Sequence, residues 1–217
     1  MNKNEKFVIT INRELGSGGR TAGRLLAERL GVPFYDKALI QALTAKYHLS
    51  VEEIERLKGR NHSWWADFKR AMNIGSGVSA SRNYQLETTK LPDLLTTDDM
   101  FRTEQEVLLG MAADESCVVA GRSGFYVFRN HPNHVSVFIQ ASMESRVERL
   151  MRKQQLTAEE ARETIARVDK MRENYVKKYA GTSRYDTRNY DLVVRADGKT
   201  EEEVADIIMQ YVDAIAR

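Results

Sequence analysis

The sequence predicts an α/β fold, a five-stranded, mainly parallel sheet covered by helices on both faces. Three observations predict it. Short β-branched runs alternate with helix-length amphipathic stretches along the chain, glycine turns or helix-capping residues join the two kinds of segment, and every apolar run is short enough to be a buried strand. With 217 residues, 42% of them hydrophobic, the chain is long enough for one domain with a sizeable core.

Phe7 to Ile11 is the first strand, and Arg20 to Leu30, with apolar residues at helical spacing, is the first helix. Gly31 suits a C-cap, Pro33 blocks continuation, and Phe34-Tyr35 start a second strand before Asp36. Ser50-Val-Glu-Glu53, between Leu49 and Ile54, carries the capping box and hydrophobic staple of a further helix start. Residues 59 to 98, with Gly59, Gly75, Gly77 and a Ser/Asn-rich stretch, are the least regular part and read as an insertion. Within it Trp64, Trp65, Phe68 and Met72 can form one helical face, whose expected role is packing on the core.

Asp98 or Asp99 caps a helix to about Ala113, and Cys117 to Ala120 is the third strand. Val135 to Ile139 is the fourth, followed by a helix capped by Ser142 with Glu144 in its first turn. Thr157-Ala-Glu-Glu160 opens a long charged helix to about Tyr179, and Leu192 to Arg195 is the fifth strand. Thr200-Glu-Glu-Glu203 caps the last helix, whose Val204, Ile207, Ile208, Tyr211, Val212 and Ile215 make one stripe.

The charge balance excludes less than it locates. Lys and Arg number 33 against 31 Asp and Glu, so no whole-protein field calls for a polyanion or a membrane, and any anion specificity has to be local. The single cysteine, Cys117, sits in an apolar run, which excludes an intramolecular disulfide, fits a reducing compartment and suits a buried core thiol. The N-terminal apolar run is too short for a signal or a membrane span, so a cytoplasmic location is expected. His48, His62, His131 and His134 lack a paired metal-ligand motif and are expected in turns or at the surface. No nucleic-acid module is recognisable.

Three features point to phosphate. In an open parallel sheet ligands bind beyond the carboxyl ends of the strands, and the first strand ends in Asn-Arg-Glu-Leu-Gly-Ser-Gly-Gly-Arg, residues 12 to 20. Gly16, Gly18 and Gly19 let the backbone approach an anion at a helix start, with Arg13 and Arg20 at the rims. The pattern departs from G-x-x-x-x-G-K-[ST], and glycine turns also arise for backbone reasons alone. Arg122, in Gly121-Arg122-Ser123 at the end of the third strand, is either a phosphate fork or a surface ion pair. Between Arg146 and Arg188 lies a basic stretch from which a few arginines can reach over the crevice as a lid.

These residues resemble the cytidylate kinase-like family, a branch of the P-loop nucleoside monophosphate kinases. The carrying segments are 9 to 20, 27 to 37, 118 to 123, 137 to 146 and Tyr190-Asp-Leu-Val-Val194. The resemblance implies a three-layer P-loop kinase fold with a helical nucleotide-monophosphate-binding insertion at 38–98 and a lid at 152–189. It implies a small nucleotide as partner, ATP as phosphoryl donor and Mg²⁺ at Ser17 or Thr21. By the same resemblance Arg13 to Thr21 hold the donor phosphates, Asp36 faces the acceptor, Arg122 grips its phosphate, and Asp169 and Arg172 match the lid's acid-to-arginine spacing.

The departures are specific. Aligned from Ile9, the loop lysine falls on Gly19 and the next glycine on Arg20, the arginine expected after Asp36 is Ala42, and the acid expected after Arg122 is Ser123. They bear on base selectivity, which needs particular polar partners, and leave three readings open: a nucleotide kinase, a nucleotide-binding regulator without efficient catalysis, and a kinase of a non-nucleotide metabolite. Oligomeric state is not encoded in any of these features.

Overall fold

Strand β1 (Val8–Arg13) is the centre of the molecule. In the computed structural model, which describes residues 1–37, 40, 44, 49, 50, 52, 54, 65, 66 and 98–216, five strands lie in the order β2-β3-β1-β4-β5, all parallel. The others are β2 (Phe34–Asp36), β3 (Cys117–Ala120), β4 (His134–Gln140) and β5 (Leu192–Arg195). The described helices are α1 (Gly19–Leu30), α2 (Asp98–Asp114), α3 (Gly124–Val127), α4 (Met143–Gln154), α5 (Ala158–Ala180) and α6 (Glu201–Ile215).

Alternation along each strand sorts side chains to two faces. Ile9, Ile11, Phe34, Val118, Val137 and Ile139 face one core, closed by Leu26 of α1 and by Val204, Ile208 and Val212 of α6. Val8, Tyr35, Cys117 and Val119 face the other, closed by Val107, Leu108 and Met111 of α2 and by Val127 of α3. Fully burying one such side chain contributes about 1.5–3 kcal/mol, so both faces are needed to offset chain ordering. Gly23 marks the closest approach of α1 to the sheet, since a Cβ there would stand 3.1 Å from Phe34 and 3.2 Å from Ile11.

The expected caps are present. Gly31 is left-handed at the end of α1, and Thr157 with Glu160, like Thr200 with Glu203, forms a reciprocal capping box. Ile54 N donates to Ser50 O at 3.0 Å where a helix start was expected. Cys117 is wholly buried, and burial pushes its thiol well above the usual range. Trp65 lies in the α2-side core, as a core-packing role requires, whereas Trp64, Phe68, Met72, Ala42 and most of the 38–98 insertion lie outside the described residues.

Two expectations need correction. His134 is no surface histidine: it opens β4, shares a 2.8 Å hydrogen bond with Thr10, and burial pushes its pKa down to about 4. Helix α3 was not anticipated, because four residues show no periodicity. Among the described residues no helix is long and apolar enough to cross a membrane.

Candidate functional site

The connections leaving the adjacent strands β1 and β3 go to opposite faces, α1 to one core and α3 to the other. That divergence opens a crevice beyond the two carboxyl ends, where open α/β sheets bind ligands. Arg13 ends β1, residues 14–18 form a loop, and Gly19 begins α1.

The loop is tied from all sides. Glu14 N donates to Ile139 O at 3.0 Å, and Glu14 Oε2 accepts from Ala141 N at 3.0 Å. Leu15 N donates to Asp169 Oδ1 at 3.0 Å, while the Leu15 side chain packs on the α4–α5 cluster of Val147, Leu150, Ala161 and Ile165. Gly16 and Gly18 have φ of 85° and 79°, and a Cβ on Gly16 would lie 2.8 Å from Arg146 O. Both glycines therefore meet a backbone requirement, and Gly16 a packing one. Held this way, the loop aims the orphan N–H groups and positive end of α1 at the crevice.

Arginines converge on the same point. Arg172 of α5 donates from Nη1 to Arg13 O at 3.2 Å, and Arg184, 2% exposed, donates to the same carbonyl. Asp169 is the hub beneath them, 2.5 Å from Arg146, 3.3 Å from Arg184 and 3.7 Å from Arg172. Glu14 stands 3.8 Å from Arg146. Arg20 is paired separately, its Nε 2.6 Å from Asp36.

The Arg13 side chain crosses this crevice. A Cβ on Gly19 would stand 2.7 Å from Arg13 Cβ and 3.1 Å from its Cγ, and a Cβ on Gly121 would collide with Arg13 Nη1. The side chain thus runs from above the start of α1 to the end of β3. Among the described residues no carboxylate lies within ion-pair distance of its guanidinium. Burial, then the charges of Arg172, Arg184 and Arg20, push its pKa down to about 9, with Asp36 working in the opposite direction. Around the loop, then, Arg13, Arg146, Arg149, Arg172 and Arg184 face Glu14, Asp169 and Glu201, five guanidiniums against three carboxylates. An enclosed surplus of cations is costly unless an anion joins it, and a phosphate supplies both charge and acceptors.

Other expected residues are placed differently. Arg122 is buried, ion-paired with Glu104 of α2 and stacked 4.7 Å over the Tyr175 ring of α5, so it is not a surface ion pair. Its backbone and that of Ser123 are left-handed, the local bend that lets the chain enter α3. Ser17 Oγ is turned inward, donating to Glu14 O at 2.9 Å, whereas Thr21 is half-buried near the start of α1. Asp36 ends β2 and is 4% exposed. Sequence reasoning missed Arg184, Arg146 as a buried group, and Glu104. The first two lie in the basic stretch already marked, but no local signal separates them from exposed Arg152 and Arg167.

The sequence model of the cytidylate kinase-like family matches residues 8–197. A cytidylate kinase from Thermotoga sp. (strain RQ2) is 30% identical over 186 residues, covering 74% of this chain and 79% of that protein. An uncharacterized protein from Eubacterium ventriosum ATCC 27560 superposes with a TM-score of 0.70 at 22% identity, over 97% of this chain and 99% of the other. A gluconokinase from Sinorhizobium meliloti 1021 gives 0.53 at 16% identity, over 97% and 94%. The chain belongs to the cytidylate kinase-like family, and its fold is that of the P-loop kinases.

Proposed function

We propose that this member of the cytidylate kinase-like family catalyses ATP-dependent phosphoryl transfer to a nucleoside monophosphate of the CMP or dCMP kind, or to a related small acceptor. The observation that carries the reading is the enclosed excess of arginine where the glycine loop, the start of α1 and the end of β3 meet. Phosphoryl transfer asks little covalent chemistry of the protein. It needs donor and acceptor held in line and the charge on the transferring group neutralised.

In this reading the amides of residues 16 to 21 and the arginines at the loop hold the donor phosphates. Arg172, with Asp169 fixing it, belongs to a lid formed by residues 152–189 and faces the transferring group. Asp36, tied to Arg20, marks the acceptor side, with the 38–98 segment as the acceptor-binding insertion. Magnesium takes one or two protein oxygens and otherwise phosphate and water, so the Thr21 hydroxyl suits it, and the Ser17 hydroxyl only if it leaves Glu14 O. The ion's contribution is to neutralise phosphate charge. What this chain supplies is orientation and exclusion of water.

One observation favours a second reading, a kinase of a metabolite other than a nucleotide: Glu104 occupies Arg122, the residue expected to grip an acceptor's phosphate. A coupled ADP-release assay over nucleoside monophosphates and phosphate-free hydroxyl acceptors separates the two. Turnover with a pyrimidine monophosphate is the expected result. Turnover only with phosphate-free acceptors supports the second reading, and ATP binding without turnover on any acceptor supports a regulatory role.

A further inference from the structure

The family resemblance leaves one position unfilled: Gly19 stands where the loop lysine belongs, and the lysine's charge has to come from elsewhere. Arg20, the neighbouring cation, points away from that task, since its side chain is 51% exposed and its Nε is bound to Asp36. Arg13 has the opposite properties. Its stem passes over Gly19 closely enough that even a Cβ would meet it at 2.7 Å. Its guanidinium reaches the end of β3, against a glycine whose φ of 84° and missing side chain leave room for it. Its carbonyl receives Arg172 and Arg184, which fixes the backbone from which the side chain departs. The other arginines at the loop have carboxylate partners, Asp169 for Arg146, Arg172 and Arg184, Glu201 for Arg149 at 3.7 Å, and Asp36 for Arg20, and Arg13 has none among the described residues.

We propose that Arg13, projecting from the last position of β1, takes the place of the loop lysine and binds the phosphates of ATP directly. One side chain then accounts for two glycines. Gly19 is glycine because the arginine stem fills the space a side chain would leave through, and Gly121 because the guanidinium lies over it. The arrangement exchanges a point charge rising from the helix start for a planar fork laid across two strand ends, suited to two phosphate oxygens at once. This inference rests on the reading of the site as an ATP site.

The test is calorimetric titration of the full chain with ATP and Mg²⁺, run on wild type, Arg13→Ala, Arg13→Gln, Arg13→Gly, Arg20→Ala, Gly19→Lys and the exchange Arg13→Gly/Gly19→Lys. Loss of one charge-assisted phosphate contact predicts about 10- to 100-fold weaker ATP binding in Arg13→Ala. Arg13→Gln keeps the stem over Gly19 and removes the charge, so it decides the question if Arg13→Ala melts early. Arg20→Ala is expected to lose less than Arg13→Ala, and an equal or larger loss gives the lysine's place to Arg20 and overturns the inference. Gly19→Lys alone should weaken binding, because its Cβ collides with Arg13 Cβ, whereas the exchange, which removes that Cβ together with the guanidinium, should bind ATP more tightly than Arg13→Gly. That recovery is a readout that a purely structural role for Arg13 would not move. Wild-type affinity in folded Arg13→Ala or Arg13→Gln overturns the inference and leaves the ATP site standing. No ATP binding by wild type overturns both.

Discussion

Two arginine clusters sit at the carboxyl ends of adjacent strands and have opposite electrostatics. At the end of β1, Arg13 and its neighbours outnumber the carboxylates that reach them. At the end of β3, Arg122 is matched by one buried carboxylate, Glu104, and capped by Tyr175. The surroundings of the second cluster join α2 to α5: Phe101 and Tyr179 stack with centroids 3.9 Å apart, and Tyr179 Oη donates to Asp98 at 3.1 Å. The two strand-end arginines thus differ in whether a buried carboxylate from another element already meets them.

The largest effect expected is at the hub. Asp169→Asn removes the one full charge shared by Arg146, Arg172 and Arg184, and unpairing buried cations predicts a loss of about 3–5 kcal/mol in chemical denaturation. If phosphate or ATP restores much of that loss by thermal shift, the first cluster is an anion site held together by its ligand. A variant as stable as wild type without ligand would break the comparison.

At the second cluster, Glu104→Ala strands Arg122 and should cost about 3 kcal/mol, while the double change Glu104→Met with Arg122→Met should be close to neutral, because a packed apolar pair avoids the desolvation penalty. Denaturant midpoints of the three proteins measure this. A double variant as damaged as the single one would show that Arg122 does more than pair.

Tyr175 gives a pH-dependent test of the same cluster. Burial raises its pKa to about 12, partly opposed by Arg122, and among the described residues its hydroxyl has no hydrogen-bond partner. Its unfolded value is near 10, so between about pH 10 and 12 the unfolded chain loses the proton that the folded one retains, and stability falls as pH rises, by at most about 3 kcal/mol. Tyr175→Phe should be nearly neutral at pH 7 and shallower in its alkaline decline. An unchanged alkaline slope would assign the decline to Tyr190, likewise raised to about 12, beside the first cluster.

The smallest effect is reserved for Arg20→Ala. The Arg20–Asp36 pair is half-exposed on the arginine side, so its removal should cost under about 1 kcal/mol in thermal unfolding. A larger loss would mean that the pair fastens β2 to α1.

Much of the frame was legible from local rules. The five strands, the helix after the glycine loop and both capping boxes rest on neighbours within a few residues, which is the range over which periodicity and capping act. The anion site was legible as a place, through Gly16, Gly18 and the strand-loop-helix order, and the family resemblance attached a chemistry to it. The allocation of its charges was not. Nothing in Arg-Val-Asp-Lys-Met-Arg distinguishes Asp169 as a buried hub, because its partners Leu15, Arg146 and Arg184 lie 15 to 154 positions away.

The sequence by itself determined the order of elements, the turn at which phosphate would be met, and a near-zero net charge under which no whole-protein field calls for a polyanion. Only the tertiary structure decided that Arg122 is neutralised, that Arg20 is tied to Asp36, and that Arg13 lies across the crevice above a glycine that has room for nothing else. The physical reason is range. Propensity and capping act along the chain, whereas an ionic group's role depends on which opposite charges fold to within about 4 Å of it and how much water remains between them.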